Sequence, residues 1–293
     1  MLLKNFHLPR RSYHCQTMRG FFLPGLLLFS FGLLLPCPSL HASEAAKSRS
    51  FLFTGIGIEQ LTYREQIQDL ELISSDTELT NWVLLVEARK TLENLFIQAK
   101  GAIPISTDEA WEYWTRAGDF EQANTLTYRW VRADVQMGYF LHRLLNPYIG
   151  LRWAYSEQVR SDFENISIPG IVGETATEEV YSFSAAIGFQ GEVPFAARWS
   201  LSYFAEYLLP FYSNTKNDNL PGWEASNIEG FAYALTAQLK YALTGTVSAA
   251  LQGSVGKQHW EGSDWIPYGA ASVKWPENDT DFVSCFISIF KYF

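Results

Sequence analysis

The last thirteen residues read DFVSCFISIFKYF, Asp281 to Phe293. Counted back in twos from Phe293 they give Lys291, Ile289, Ile287, Cys285 and Val283. A β-strand points successive side chains to opposite faces, so a period of two over this length predicts one long final strand.

The same alternation recurs upstream. Ile149, Leu151, Trp153 and Tyr155 alternate with Gly150, Arg152, Ala154 and Ser156. Phe231, Tyr233, Leu235, Ala237, Leu239 and Tyr241 alternate with Ala232, Ala234, Thr236, Gln238 and Lys240. Residues 181–190 and 198–207 behave alike, with apolar bands that end in Trp and Tyr. A soluble sandwich also alternates, but runs this long with so small a polar face are what a lipid-facing β wall requires.

The pattern predicts about ten antiparallel strands, near 51–66, 79–90, 94–106, 124–140, 146–161, 177–191, 197–212, 228–242, 245–260 and 280–293. Short links (91–93, 141–145, 192–196, 243–244) alternate with long ones (67–78, 107–123, 162–176, 213–227, 261–279). Short turns at one end, long loops at the other and an even strand count are the organisation of an up-and-down transmembrane barrel. On the first strand Ile56 and Ile58 share a face while Leu61 and Tyr63 take the other, which predicts a bulge near Gln60. The hairpins recur at propeller-like spacing, but each unit holds two long strands and not four short ones.

Met18-Arg19, an apolar run from Phe21 to Leu35, Pro36, Pro38 and then Leu40-His41-Ala42 read as a secretory signal peptide over 1–42, its start at Met1 or Met18. The run is short for a membrane anchor, and Pro36 before Cys37 excludes a lipoprotein. Residues 43–50 are expected to form a short periplasmic segment and 51–293 the barrel. Cleavage after Ala42 removes four of the 22 basic residues and none of the 31 acids, leaving a net charge of −13. That sign excludes nucleic acid as a partner. Cys285 is then the lone cysteine, and His142 and His259 the only histidines, so neither a disulfide scaffold nor a multi-histidine metal site is expected. No cofactor is expected.

The closing strand with its terminal Phe293 resembles the insertion signal of Gram-negative outer-membrane β-barrel proteins, which usually carry an apolar or aromatic residue where Lys291 stands. The resemblance extends over the chain as a pattern of strands and turns. It implies the cell outer membrane as the location, lipids and lipopolysaccharide as surroundings and the barrel-assembly machinery as a transient partner. Inward parity places Glu59, Glu87, Arg89, Lys100 and Arg132 on the predicted lining. Asp134, Arg152, Arg198, Glu206 and Lys240 sit on or near it as well. Such charges suit either an ion network that fills a narrow barrel or a narrow aqueous path for small solutes.

Ten strands is also the size of the omptin proteases, which the architecture resembles. Their activity rests on an aspartate pair and an Asp-x-His element, and no Asp-x-His occurs here. His142 falls in a short turn; His259, near Glu261 and Asp264, has a parity that points to lipid or headgroups. A Ser–His dyad of the outer-membrane lipase kind has no credible serine beside His259. Aromatics and acids at Trp111–Trp114, Trp223-Glu224 and Trp265–Tyr268 are expected in outer loops, as an interfacial belt with solvated acids. The expected function is therefore non-enzymatic: a narrow porin-like channel, or a structural and adhesive surface barrel with a filled lumen.

Overall fold

Where one face of a strand meets hydrocarbon, its outward residues must be apolar, and every backbone group must find a partner within the sheet. The computed structural model of the protein, which describes residues 50–68, 72–165, 175–269 and 271–293, meets the first condition along a central belt and the second by continuous strand pairing, apart from one break between Ala102 and Glu109. The expected leader and nearly all of the 43–50 segment lie outside the described residues.

The strands are β1 (Phe51–Ile67), β2 (Ile73–Leu92), β3 (Leu95–Ser106), β4 (Glu109–Arg116), β5 (Asp119–Tyr139), β6 (Asn146–Asn165) and β7 (Ala176–Ala196). They continue with β8 (Trp199–Asn217), β9 (Glu224–Ser226), β10 (Gly230–Ala242), β11 (Val247–Trp260), β12 (Ile266–Tyr268), β13 (Ala271–Val273) and β14 (Glu277–Tyr292). Each long strand pairs antiparallel with its sequence neighbour, and β1 pairs with both β2 and β14, from Phe51 opposite Tyr292 to Gln66 opposite Glu277. That last pairing closes the sheet. Among the described residues the barrel has ten staves: β3 and β4 lie end to end along β2 and β5 as one interrupted stave, β9 pairs with the far end of β8 in line with β10, and β12 and β13 form a separate hairpin.

Outward residues form an apolar belt. Ile149 is 62% exposed, Leu151 59% and Ile287 68%, more than a water-facing surface of a monomer tolerates in so large a patch. Beyond the belt, toward the long-loop end, the outward face turns charged: Arg64, Asp76, Glu157 and Asp281 replace the aliphatics. The strands run on past the belt, so β2, β5, β8 and β14 are longer than the apolar alternation predicted.

Two expectations are corrected by this extension. The second long link does not exist: residues 109–123 are β4 and the start of β5, joined by a tight turn at Ala117-Gly118. Both turn residues have positive φ (50° and 91°), the geometry that matches the twist of a two-residue hairpin and that glycine adopts without strain. Nor is there a bulge near Gln60, since β1 keeps an unbroken register with both neighbours. Leu61 and Tyr63 face inward because the interior contains an apolar layer, with Leu79, Val83, Leu126, Tyr128, Trp130 and Phe286.

Gly57 points into that interior, where a Cβ would overlap the Cys285 carbonyl and the Phe286 ring. Gly253, outward on β11, has only Ser284 O at 3.9 Å from such a Cβ. Gly57→Val is therefore expected to lose more than the roughly 1–3 kcal/mol of ordinary overpacking. It should abolish the heat-sensitive compact band on unheated gels, while Gly253→Val retains it. Equal folding of the two variants would contradict the inward placement of Gly57.

Candidate functional site

The inward residues of the ten staves meet along the barrel axis, and they do so as layers. Along β1 the sequence of inward side chains is Phe51, Phe53, Gly55, Gly57, Glu59, Leu61, Tyr63 and Glu65, so apolar and ionic levels alternate from the short-turn end upward.

At the short-turn end Arg89 lies between the rings of Phe51 and Phe96, 4.8 Å from each centroid. Its guanidinium donates to Gln98 and, across four staves, to Gln190 Oε1 at 2.6 Å. Lys240 pairs with Glu192 (3.0 Å) and covers the Phe290 ring. Glu87 stands opposite Lys100 in register.

The middle level is built on Arg152, which holds Asp134 of the adjacent strand and Glu206 of β8 (2.6 Å). Gln136 Nε2 donates to Glu206 Oε2 at 2.7 Å, and Tyr148 adds a third hydrogen bond to that carboxylate. Lys100 lies over the rings of Phe204 and Tyr148, and Arg132 over Trp130, 4.5 Å from its centroid. Glu59 is 2% exposed and its Oε2 has no hydrogen-bond partner. Nine of the ten charges expected on the lining thus face the interior. The exception is Arg198, which sits exposed in the β7–β8 turn beside Tyr241, because the short turn ends the inward parity one residue before Trp199. Phe293, three-quarters exposed, closes the chain with its N–H on Ser50 O.

The third level lies in the part of the barrel beyond the apolar belt and was not read from the sequence. Arg160 binds Glu65 of β1 (2.8 Å) and Glu112 of β4 (2.7 Å). Gln158 Nε2 donates to Tyr63 Oη at 2.9 Å, again spanning four staves, and the Tyr63 hydroxyl donates to Glu65. Ser75 and Asn124 complete the shell of Glu112. Burial alone raises the Glu112 carboxyl, but Arg160 and these hydrogen bonds outweigh it and hold it below the ordinary range. Above it Trp275 Nε1 donates to Glu178 Oε1 (2.7 Å), and Trp275 packs with Trp223, Ile228 and Trp260 as an apolar cap drawn from the last two long loops and the end of β11. Glu112 and Trp223, expected among solvated loop groups, are instead buried inside the barrel. The available signal was the inward parity of β1, which runs straight from Glu59 to Glu65.

His259 faces outward at the rim, its Nδ1 2.9 Å from Asp279 and its ring against Phe231; His142 lies in the β5–β6 turn.

No protein family matches the sequence, and no curated protein matches it. Solved structures do match. The outer-membrane protease OmpT of Escherichia coli superposes with a TM-score of 0.66 over 85% of this chain and 98% of that one, at 9% identity. The transport unit of the autotransporter AIDA-I of Escherichia coli gives 0.41 over 92% and 96% at 11% identity. The translocator domain of the autotransporter NalP of Neisseria meningitidis gives 0.39 over 92% and 94% at 10%. At these identities the likeness is one of architecture. This chain has the fold of Gram-negative outer-membrane β-barrels.

Burial, and then the neighbouring Glu65, push the Glu178 carboxyl up to about 7. A carboxyl raised on folding binds its proton in the native state while the unfolded chain has released it, so its contribution is complete below pH 4.5 and is lost as pH rises through about 7. Urea midpoints of the refolded barrel should therefore fall between pH 5 and pH 8 relative to those of Glu178→Gln, whose amide keeps an acceptor for Trp275. Parallel pH profiles for the two proteins would refute this placement of Glu178.

Proposed function

We propose that the protein is a non-enzymatic barrel of the cell outer membrane whose lumen is closed by its own side chains, serving as a structural and adhesive surface scaffold. Cross-lumen links at three successive levels carry this reading: Arg89 to Gln190, Arg152 and Gln136 to Glu206, and Arg160 with Gln158 to Glu65 and Tyr63. Hydrogen-bonded ionic side chains in the centre of a narrow barrel fill it, and a solute would have to displace each level in turn. The charged collar beyond the belt is then the face presented outside the cell, with the buried aromatic cap of Trp223, Trp260 and Trp275 closing the lumen beneath it. The short-turn end, where β1 begins and β14 ends, faces the periplasm, as the alternation of short turns and long loops favours. Phe293 at that end serves as the insertion signal read by the assembly machinery.

A hydrolase of the kind named for OmpT is disfavoured. The Asp279–His259 pair sits on the outer wall beside Lys257, which shares the same carboxylate at 2.9 Å, and no Asp-x-His element exists to supply the omptin arrangement.

In planar bilayers the wild-type barrel is expected to give no discrete conductance above background. The combined Arg89→Ala, Arg152→Ala and Arg160→Ala variant should leak, provided it still shows the compact band of a folded barrel. Stable wild-type openings that shrink when Arg132 or Arg152 is removed would return the porin reading in its place.

A further inference from the structure

The stave made of β3 and β4 is broken at the upper edge of the apolar belt. Pairing of β3 with β5 stops at Ala102 opposite Arg132, and pairing of β4 with β5 starts at Glu109 opposite Thr127. Six residues, Ile103 to Asp108, thus face four, Tyr128 to Val131, with no ladder partners on that side. Pro104 has no N–H to give, and the register against β2 slips at the same point, between Trp82 and Val83. From inside, Asn81 of β2 fills the gap: its Oδ1 accepts the Asp108 N–H and its Nδ2 donates to the Tyr128 carbonyl, at 3.2 Å each. From outside the gap stays open, as a groove of about 390 Å³. That volume falls in the range of small-molecule sites, roughly 300–1,000 Å³.

The groove crosses a change in chemistry. Its lower wall is Pro104, Ile105, Val131 and the Tyr155 ring; its upper end is Arg129 and Glu157. Ile105 is 54% exposed on the belt side. Arg129 is 60% exposed, and its contact with Glu157 is long at 3.5 Å, so its charge remains available to an anion. The Tyr155 hydroxyl lies 3.1 Å from both Glu157 Oε2 and Glu179 Oε1. An apolar trough, an arginine directly above it and strand edges without ladder partners fit a molecule with a hydrocarbon chain, ester oxygens and a phosphate, stacked in that order.

We infer that the break between β3 and β4 is a lipid site, which seats one acyl chain of a phosphate-bearing membrane lipid against Ile105 and Val131 with its phosphate on Arg129. The inference rests on the membrane placement proposed above and is independent of whether the lumen conducts. The occupant is a bilayer lipid because the groove opens at the level where the belt ends and the charged collar begins, the depth of the headgroup boundary.

Native mass spectrometry of the full chain released from detergent, titrated with phosphatidylglycerol, tests the site. One retained lipid per barrel is expected. Val131→Trp or Ile105→Trp, each filling the trough from the lipid face, should weaken retention by about tenfold or more. Arg129→Gln should weaken phosphatidylglycerol by a similar factor and leave the phosphate-free diacylglycerol unchanged. Equal retention by the wild type and both filled variants overturns the site. An Arg129→Gln protein that holds phosphatidylglycerol as well as the wild type overturns the headgroup assignment. A chain that never leaves aqueous solution for detergent or bilayer overturns the membrane placement itself, a failure distinct from both.

Discussion

The pairing of β1 with β14 is the constraint from which the rest of the structure follows. It gives every stave two hydrogen-bonded neighbours, so apart from the break between β3 and β4 the sheet has no free edge along the belt. Once the sheet is closed, the alternation of side chains divides the protein in two. Aliphatic residues such as Ile149 and Ile287 can face outward only if the surroundings are hydrocarbon, and polar residues can face inward only if they satisfy one another.

The interior solves the second requirement by layers. Ionic levels around Arg152 and Arg160 alternate with apolar ones around Phe290 and Phe286, and each of these two arginines is held by carboxylates from two other staves. Such networks are costly to desolvate and contribute little net stability compared with an apolar core, but removing one member strands the others, roughly a 3–5 kcal/mol loss for a buried pair. Their geometry serves register. Arg160 reaches Glu65 and Gln158 reaches Tyr63 only when β1 and β6 stand at their observed heights, and a one-residue slip would turn these side chains to the other face.

The architecture was legible because lipid imposes a strict pattern. Where outward residues touch hydrocarbon, as from Ile149 to Tyr155 or Phe231 to Tyr241, the strands and their parity emerge from the sequence directly. Beyond the belt both faces are polar, so the pattern fades and β4 with the start of β5 resembles a loop. Leu61 and Tyr63 were misleading for a related reason: an apolar residue inside a barrel carries the same signature as one outside it. Charged lining residues such as Arg152 and Glu206 were found by parity. Their partners across the lumen were not, since Arg160 and Glu65 are 95 positions apart and meet only through closure. The break at Pro104 is visible as a proline within a strand, but not as the groove it opens.

Native Cys285 provides a direct measure of that closure, because it stands opposite Ile58 in the register of β14 on β1, and both side chains point outward. Facing positions of an antiparallel pair lie about 4.5–5.5 Å apart at Cα, within reach of a disulfide. In a chain with Cys15 and Cys37 replaced by serine, mild oxidation of Ile58→Cys in membranes should link residues 58 and 285 within one molecule, seen as a single cross-linked peptide by mass spectrometry. A Cys285 that stays open to alkylation, or that links only between molecules, would mean that the sheet does not close.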